Sequence, residues 1–253
     1  MQNNKCVFLL AFILILLSPV IKAAEPPTIL SMKDRAAFID SITEKRINTL
    51  LPALMQQHNI DMWLMISREY NEDPILKTML PATWLSARRT TILVLARNAS
   101  GAVDAFAIAP YKIGNVFKKA WDKQAQPNQW LALNDLIEQY QPQNIALNTS
   151  KDWAHADGLV LGDYTALMAN LPAAYKNKII SAEPLAVAWL EQRIPEEVDM
   201  YKHIVAIAHS IIAEGFSNKV ITVGKTTSDD LVWWFRERVR ELKLQTWFHP
   251  SIA

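Results

Sequence analysis

The chain has 253 residues, with 26 lysines and arginines against 25 aspartates and glutamates, and this near balance argues against nucleic acid as the main partner, which asks for a basic surface. Only six glycines are present, with no GxGxxG and no P-loop pattern, so a phosphate-cradling loop is not indicated. Apolar residues make up 51% of the sequence, ample for a core, and the length fits one large domain or up to two ordinary ones.

The first two dozen residues stand apart. Lys5 sits in a short polar start, Cys6 to Leu17 form an unbroken apolar run, Ser18 and Pro19 break it, and Ala23 and Ala24 follow. A charged lead, an apolar stretch of about 7–15 residues and a small-residue exit describe a secretory signal. A membrane span needs about 20 apolar residues, so an uncleaved anchor is the alternative only if Pro19 to Ile21 are recruited. We expect a signal peptide over residues 1–23, cleaved after Ala23, and a periplasmic or secreted product. Cys6 is the sole cysteine and would leave with the signal, which suits an oxidising compartment and excludes thiol catalysis and thiolate metal sites in the mature chain.

Glu25-Pro26-Pro27 reads as a stiff, extended lead-in. Ser31 followed by Asp34 is a capping-box-like helix start, and Ile39, Ile42, Leu50 and Leu54 belong to its apolar stripe with Lys45 and Arg46 outward. His58-Asn59 ends it. Met62 to Ile66 reads as a buried strand. Residues 68–87 look irregular, with Asp73-Pro74 and Leu80-Pro81 as breakers. Thr90 to Ala96 and Val103 to Ile108 are rich in β-formers, and Asn98-Ala99-Ser100-Gly101 between them has hairpin-turn chemistry. An amphipathic stretch around Trp130 to Tyr140, a strand at Asn144 to Asn148, a helix near Tyr164 to Asn170 and a strand around Lys178 to Ser181 follow. The alternation predicts an α/β domain over residues 28–185 with helices packed on a mixed sheet.

Residues 186–253 change character. Ala186 to Gln192 looks helical, and Pro195 is placed to open a new helix, with Glu196 and Glu197 at its positive end. Val198, Tyr201, Val205, Ala208 and Ile212 would form one buried face of that helix. Val220 to Val223 is a short strand or extended turn closed by Gly224. Thr227 with Asp230 starts a helix that runs to about Lys243, whose glutamates and arginines read as an ordinary solvated face. Gln245 to Ile252 reads as a strand.

The run Arg193-Ile194-Pro195-Glu196-Glu197, the turn Gly224-Lys225-Thr226-Thr227-Ser228-Asp229-Asp230, the Trp233-Trp234-Phe235 helix and Thr246-Trp247-Phe248-His249-Pro250 together resemble the entry into the pita-bread catalytic domain of metallopeptidases such as aminopeptidase P and prolidase, with creatinase a non-peptidase relative. The resemblance implies that residues 28–185 correspond to the family's N-terminal α/β domain and residues 186–253 to the truncated beginning of an α+β pita-bread domain. It implies hydrolysis of Xaa-Pro peptides, or creatine-like C–N hydrolysis, and a possible homo-oligomer. It further implies two divalent ions, such as manganese, zinc or cobalt, held in the complete enzyme by two aspartates, one histidine and two glutamates. Those ligands are expected after Ala253, so the chain is expected to hold no metal and to be inactive alone. The competing reading is a non-catalytic periplasmic binding or interaction module.

Several residues invite a sharper reading. His249 is the one candidate substrate-binding residue, on the resemblance that places a substrate-contacting histidine before the first metal aspartate; the alternative is a structural strand histidine. Asp199 and His203 share a helix face, as a surface ion pair or as two ligands of an incomplete metal site. His155 and Asp157 lie in a polar loop. Arg88 and Arg89 are either a charged strand entry or, by resemblance, part of a face turned to a neighbouring subunit. In the complete family fold the Trp233-Trp234-Phe235 helix would pack on a sheet mostly missing from this sequence, so Trp233 or Trp234 is expected to be unusually exposed.

Overall fold

The computed structural model describes residues 27–252, so the signal-peptide and cleavage-site expectations lie outside the described residues. These residues divide into two compact units, Leu30–Lys202 and a second made of 27–29 with 203–252. Among the described residues no helix is long and apolar enough to cross a membrane.

The larger unit opens with α1 (Met32–Lys45), whose Ser31 Oγ accepts from the Asp34 N–H at 3.1 Å as the capping pattern predicts. A single π-helical turn, Arg46–Leu50, then joins it to α2 (Leu51–Gln57). The inserted residue of a π turn rotates everything after it. Arg46, on the same face as the buried Thr43 of α1, faces inward and is only 6% exposed, while Ile39 is exposed, which corrects the sequence assignment of this helix's faces. The Arg46 guanidinium donates to the carbonyls of Gln192 (2.8 Å) and Trp189, pairs with Glu197 and lies 4.2 Å over the Trp189 ring.

Six strands form one mixed sheet. They are β1 (Met62–Arg68), β2 (Thr90–Arg97), β3 (Val103–Ala107), β4 (Lys118–Lys119), β5 (Ile145–Leu147) and β6 (Ile179–Ser181), in the spatial order β4-β3-β2-β1-β5-β6. The β1–β2 and β2–β3 pairs are antiparallel, with Met62 opposite Ala96 and Leu93 opposite Ala107. The β1–β5, β5–β6 and β3–β4 pairs are parallel. The predicted hairpin turn is present: Gly101 takes φ +83°, open to glycine at no steric cost, and its N–H donates to the Asn98 carbonyl at 2.9 Å. β4 was not foreseen; two lysines carry no strand signal and are held there by pairing with Phe106 and Ala107.

Helices cover both faces, so the central strands are apolar throughout rather than alternating. Trp63, Met65, Leu93 and Leu95 point to one face, against Ile47, Leu51 and Leu54 and against Leu185, Ala186 and Trp189 of α7 (Glu183–Glu191). Met62, Leu64, Ile66, Ile92 and Val94 point to the other, against Leu133, Leu136 and Ile137 of α4 (Gln129–Tyr140) and Leu167 of α5 (Leu161–Asn170). Two short helices complete the unit, α3 (Pro74–Lys77) and α6 (Ala173–Lys176). Asp73-Pro74 therefore starts a helix instead of breaking the chain: Asp73 is the N-cap and Pro74 the first helical residue.

The chain passes from the first unit to the second within α8 (Pro195–Gly215). Pro195 and the two glutamates stand in its first turn as predicted. The buried face is not the predicted one. Val198, Tyr201, Val205 and Ile212 are about half exposed, and Ile207 and Ile211 are buried. In the second unit α9 (Ser228–Glu241) starts with a complete capping box, Thr227 Oγ1 accepting from the Asp230 N–H and Asp230 Oδ2 from the Thr227 N–H. Ile207, Ile211 and Phe235 form this unit's buried cluster. Gly215 lets the helices close up, since a Cβ there would stand 2.4 Å from Phe235 Cζ. Val220 to Val223 is turn and coil, closed by Gly224 at φ +75°. Gln245 to Ile252 forms no strand; it has β-forming residues but no partner strand among the described residues.

Candidate functional site

The loops beyond the carboxyl ends of β1 and β5 carry the most constrained polar group of the larger unit. Asp73 is 1% exposed. Its Oδ1 accepts from the Ile75 and Leu76 N–H groups (2.7 and 3.0 Å), and its Oδ2 accepts from Asn148 Nδ2 at 2.7 Å. Asn148 Oδ1 in turn accepts from the Trp63 indole N–H at 2.7 Å, which fixes the amide's orientation. Burial raises the Asp73 pKa above the ordinary carboxyl value, against the lowering effect of the Asn148 amide and the two helix N–H groups. Gly158 is required beside it, because a Cβ there would lie 2.2 Å from Asp73 Cγ. These contacts are all spent within the fold, so the network positions a loop and offers no open ligand-binding valence. The Asp-Pro dipeptide ahead of two apolar residues was the available sequence signal for it.

Nearby, Arg68 Nε pairs with Asp163 at 3.2 Å. Arg88 stacks over Trp84 at 5.0 Å, and Arg89 sits at φ +50° with its N–H donating to Glu69 Oε2 at 3.2 Å. Both arginines enter β2 as exposed charges. Asp157 Oδ1 accepts from the Ser150 N–H at 3.0 Å, beside the short 3-10 turn that holds His155.

Asp199 and His203 are not brought together. Asp199 pairs with Lys202 at 2.9 Å, and His203 Nε2 lies 2.8 Å from the Thr28 carbonyl. Sequence reasoning had Asp199 paired with the histidine; a lysine one residue nearer, with a longer flexible stem, reaches it instead. Among the described residues no group of three His, Cys, Asp or Glu side chains could hold a metal ion, so residues 27–252 do not fit a two-metal centre.

In the smaller unit, His249 is exposed on the segment after α9 rather than on a strand. It lines a cavity of about 550 Å³ with Trp233, Arg236, Glu237, Arg240, Thr246 and their neighbours. Trp233 is 54% exposed, as expected for one residue of the aromatic triplet, and the Arg236 guanidinium lies 4.5 Å over its ring. Arg238 is paired, to Glu214 at 3.0 Å and Glu241 at 3.1 Å. Arg236 Nε is buried with no hydrogen-bond partner among the described residues. The reading of this helix as an ordinary solvated face missed that arrangement; a tryptophan and an arginine three residues apart were the signal. An adjoining groove of about 800 Å³, which shares Val239, Leu244, Gln245, Thr246 and Pro250 with the first, is lined by Ile204, Ile207, Ile211, Phe216, Trp247 and Phe248 among others, and it is apolar.

No protein-family model matches the chain, and no curated protein matches it. Among solved structures it is similar to a Xaa-Pro dipeptidase from Bacillus anthracis, with 13% sequence identity and a TM-score of 0.46, over 80% of this chain and 49% of that one. The chain spans about half the length of that structure.

Proposed function

We propose that the chain is the front portion of an exported Xaa-Pro-type metallopeptidase, and that residues 27–252 supply its scaffold while the two-metal chemistry is supplied by residues outside them. Residues 1–23 would act as the signal peptide, residues 28–185 as the creatinase/aminopeptidase P-like α/β domain, and residues 186–253 as the beginning of the pita-bread domain. His249 would contact substrate in the assembled enzyme, two divalent ions would serve it, and peptide substrate and a further copy of the chain would be its partners.

The observation that carries this reading is the coincidence of the resembling motif with real helix starts. Arg193-Ile194-Pro195-Glu196-Glu197 opens a 21-residue helix, and the Gly224–Asp230 turn ends in a complete capping box, both after a six-stranded mixed-sheet unit. The surface of the smaller unit also supports it. A buried cluster of Ile207, Ile211 and Phe235 is small beside the exposed Ile204, Ile212, Phe216, Trp247 and Phe248, an apolar area that asks to be covered. The apolar groove also favours the second reading, a non-catalytic periplasmic module that binds an apolar ligand or partner there.

Limited proteolysis separates the two. On the peptidase reading, residues 203–252 are expected to be cut well before the Leu30–Lys202 unit, because their own core offers little resistance to local opening. A compact, monomeric product resistant over its full length would favour the stand-alone module.

A further inference from the structure

We propose that the cavity between α9 and the segment Gln245–Pro250 binds a small oxyanion, a carboxylate or a phosphate, through the guanidinium groups of Arg236 and Arg240 with His249 as an added donor. The inference stands on this cavity alone and does not rest on the peptidase reading.

Arg236 and Arg240 are one helical turn apart, so both project to the same side of α9. Like charges at that spacing repel, and neither side chain has an ion-pair partner among the described residues. The Glu214 and Glu241 carboxylates pair with Arg238, which points to another side of α9. Glu237 lines the cavity as well, and two guanidinium groups outweigh it. Cations in the last turns of a helix are favoured by its dipole, which accounts for the charges but not for their environment. The environment is what points to a ligand. The Arg236 Nε–H is buried and makes no hydrogen bond, in a class of groups that native proteins almost always satisfy. Its guanidinium lies 4.5 Å over the Trp233 ring, a contact that restricts the side chain before any ligand arrives.

A planar fork of N–H donors matches the paired oxygens of a carboxylate or phosphate, and such charge-assisted bonds are the strong ones. His249 and Thr246 also line the cavity, and both side chains can donate hydrogen bonds to an anion. The volume, about 550 Å³, admits a small organic acid or phosphate ester.

Isothermal titration of the full chain with inorganic phosphate, and separately with acetate, at constant ionic strength set with chloride, tests this. Saturable binding of at least one anion is expected, weakened by about tenfold or more in R236Q/R240Q and by less in H249Q. Preference for phosphate or for acetate assigns the natural ligand's headgroup. The exposed single variant R240Q, with its helicity checked by circular dichroism, gives the same direction of change should the double variant fail to fold. Absence of saturable binding of both anions, or binding unchanged in R236Q/R240Q or R240Q, would overturn the proposal.

Discussion

Replacing Arg46 by alanine is expected to destabilise the Leu30–Lys202 unit by about 3–5 kcal/mol, the cost of removing one partner of a buried ion pair. The guanidinium bridges the Trp189 and Gln192 carbonyls at the end of α7, the Glu197 carboxylate in the first turn of α8 and the Trp189 ring. Alanine would leave the largely buried Glu197 carboxylate with the Ile194 N–H and a long 4.0 Å contact to Arg193, and the Trp189 carbonyl without its side-chain donor. Arg46→Lys keeps the charge but has no planar fork, so it should recover only part of the loss. Lys45→Ala is the control. Its neighbouring pair with Glu196 is half exposed, and solvent screening leaves it little to contribute. Urea unfolding followed by tryptophan fluorescence reads all three; an Arg46→Ala midpoint equal to that of Lys45→Ala would contradict the account.

Asp73→Asn is nearly isosteric and is nonetheless expected to cost about 1–3 kcal/mol, the penalty for a buried donor facing a donor. Asn148 presents its NH₂ to Asp73 because its oxygen is committed to the Trp63 indole. An amide at position 73 would either oppose NH₂ to NH₂ or turn its NH₂ toward the Ile75 and Leu76 N–H groups. Flipping Asn148 to compensate would strand Trp63. The same residue gives a pH signature. Burial raises its folded-state pKa above the ordinary 3.8, so the folded state holds the proton more tightly than the unfolded one. The stabilising contribution of the protonated form is complete below 3.8 and is lost as pH rises through the raised value. Asp73→Asn should remove that step from the stability–pH profile. A wild-type profile without it, or an unchanged midpoint in the variant, would count against this network. Gly158→Ala tests the same position sterically, since its Cβ would occupy the space of the Asp73 carboxyl group.

What the sequence disclosed, and what it concealed, follows from which interactions are local. β1, β2 and β3 and the Asn98–Gly101 turn were legible because apolar β-formers and turn residues declare themselves over short spans. So were the caps at Ser31 and Thr227, where the hydrogen bonds are three residues long. Arg46 was not legible. It stands on the buried face that Thr43 already marks one turn earlier, and its partners lie more than 140 residues away. The buried face of α8 was misjudged for a different reason: Ile204, Val205, Ile207, Ala208, Ile211 and Ile212 spread apolar character around much of the helix, so periodicity could not choose among faces. The segment Gln245–Ile252 had strand composition, but a strand needs a neighbour, and composition cannot report one. His249, singled out as a candidate substrate-binding residue, lines a cavity whose other residues Arg236 and Arg240 were passed over as solvated charges.

The most direct test of the assignment of residues 27–252 to scaffold is turnover of a proline-containing dipeptide by the purified chain, supplied in turn with manganese, zinc and cobalt, with and without a chelator. Two cations of a hydrolytic centre need clustered carboxylate and imidazole donors, and the described residues bring no three such groups together. No chelator-sensitive release of proline is predicted with any of the three metals. Release that requires metal and stops on chelation would contradict it.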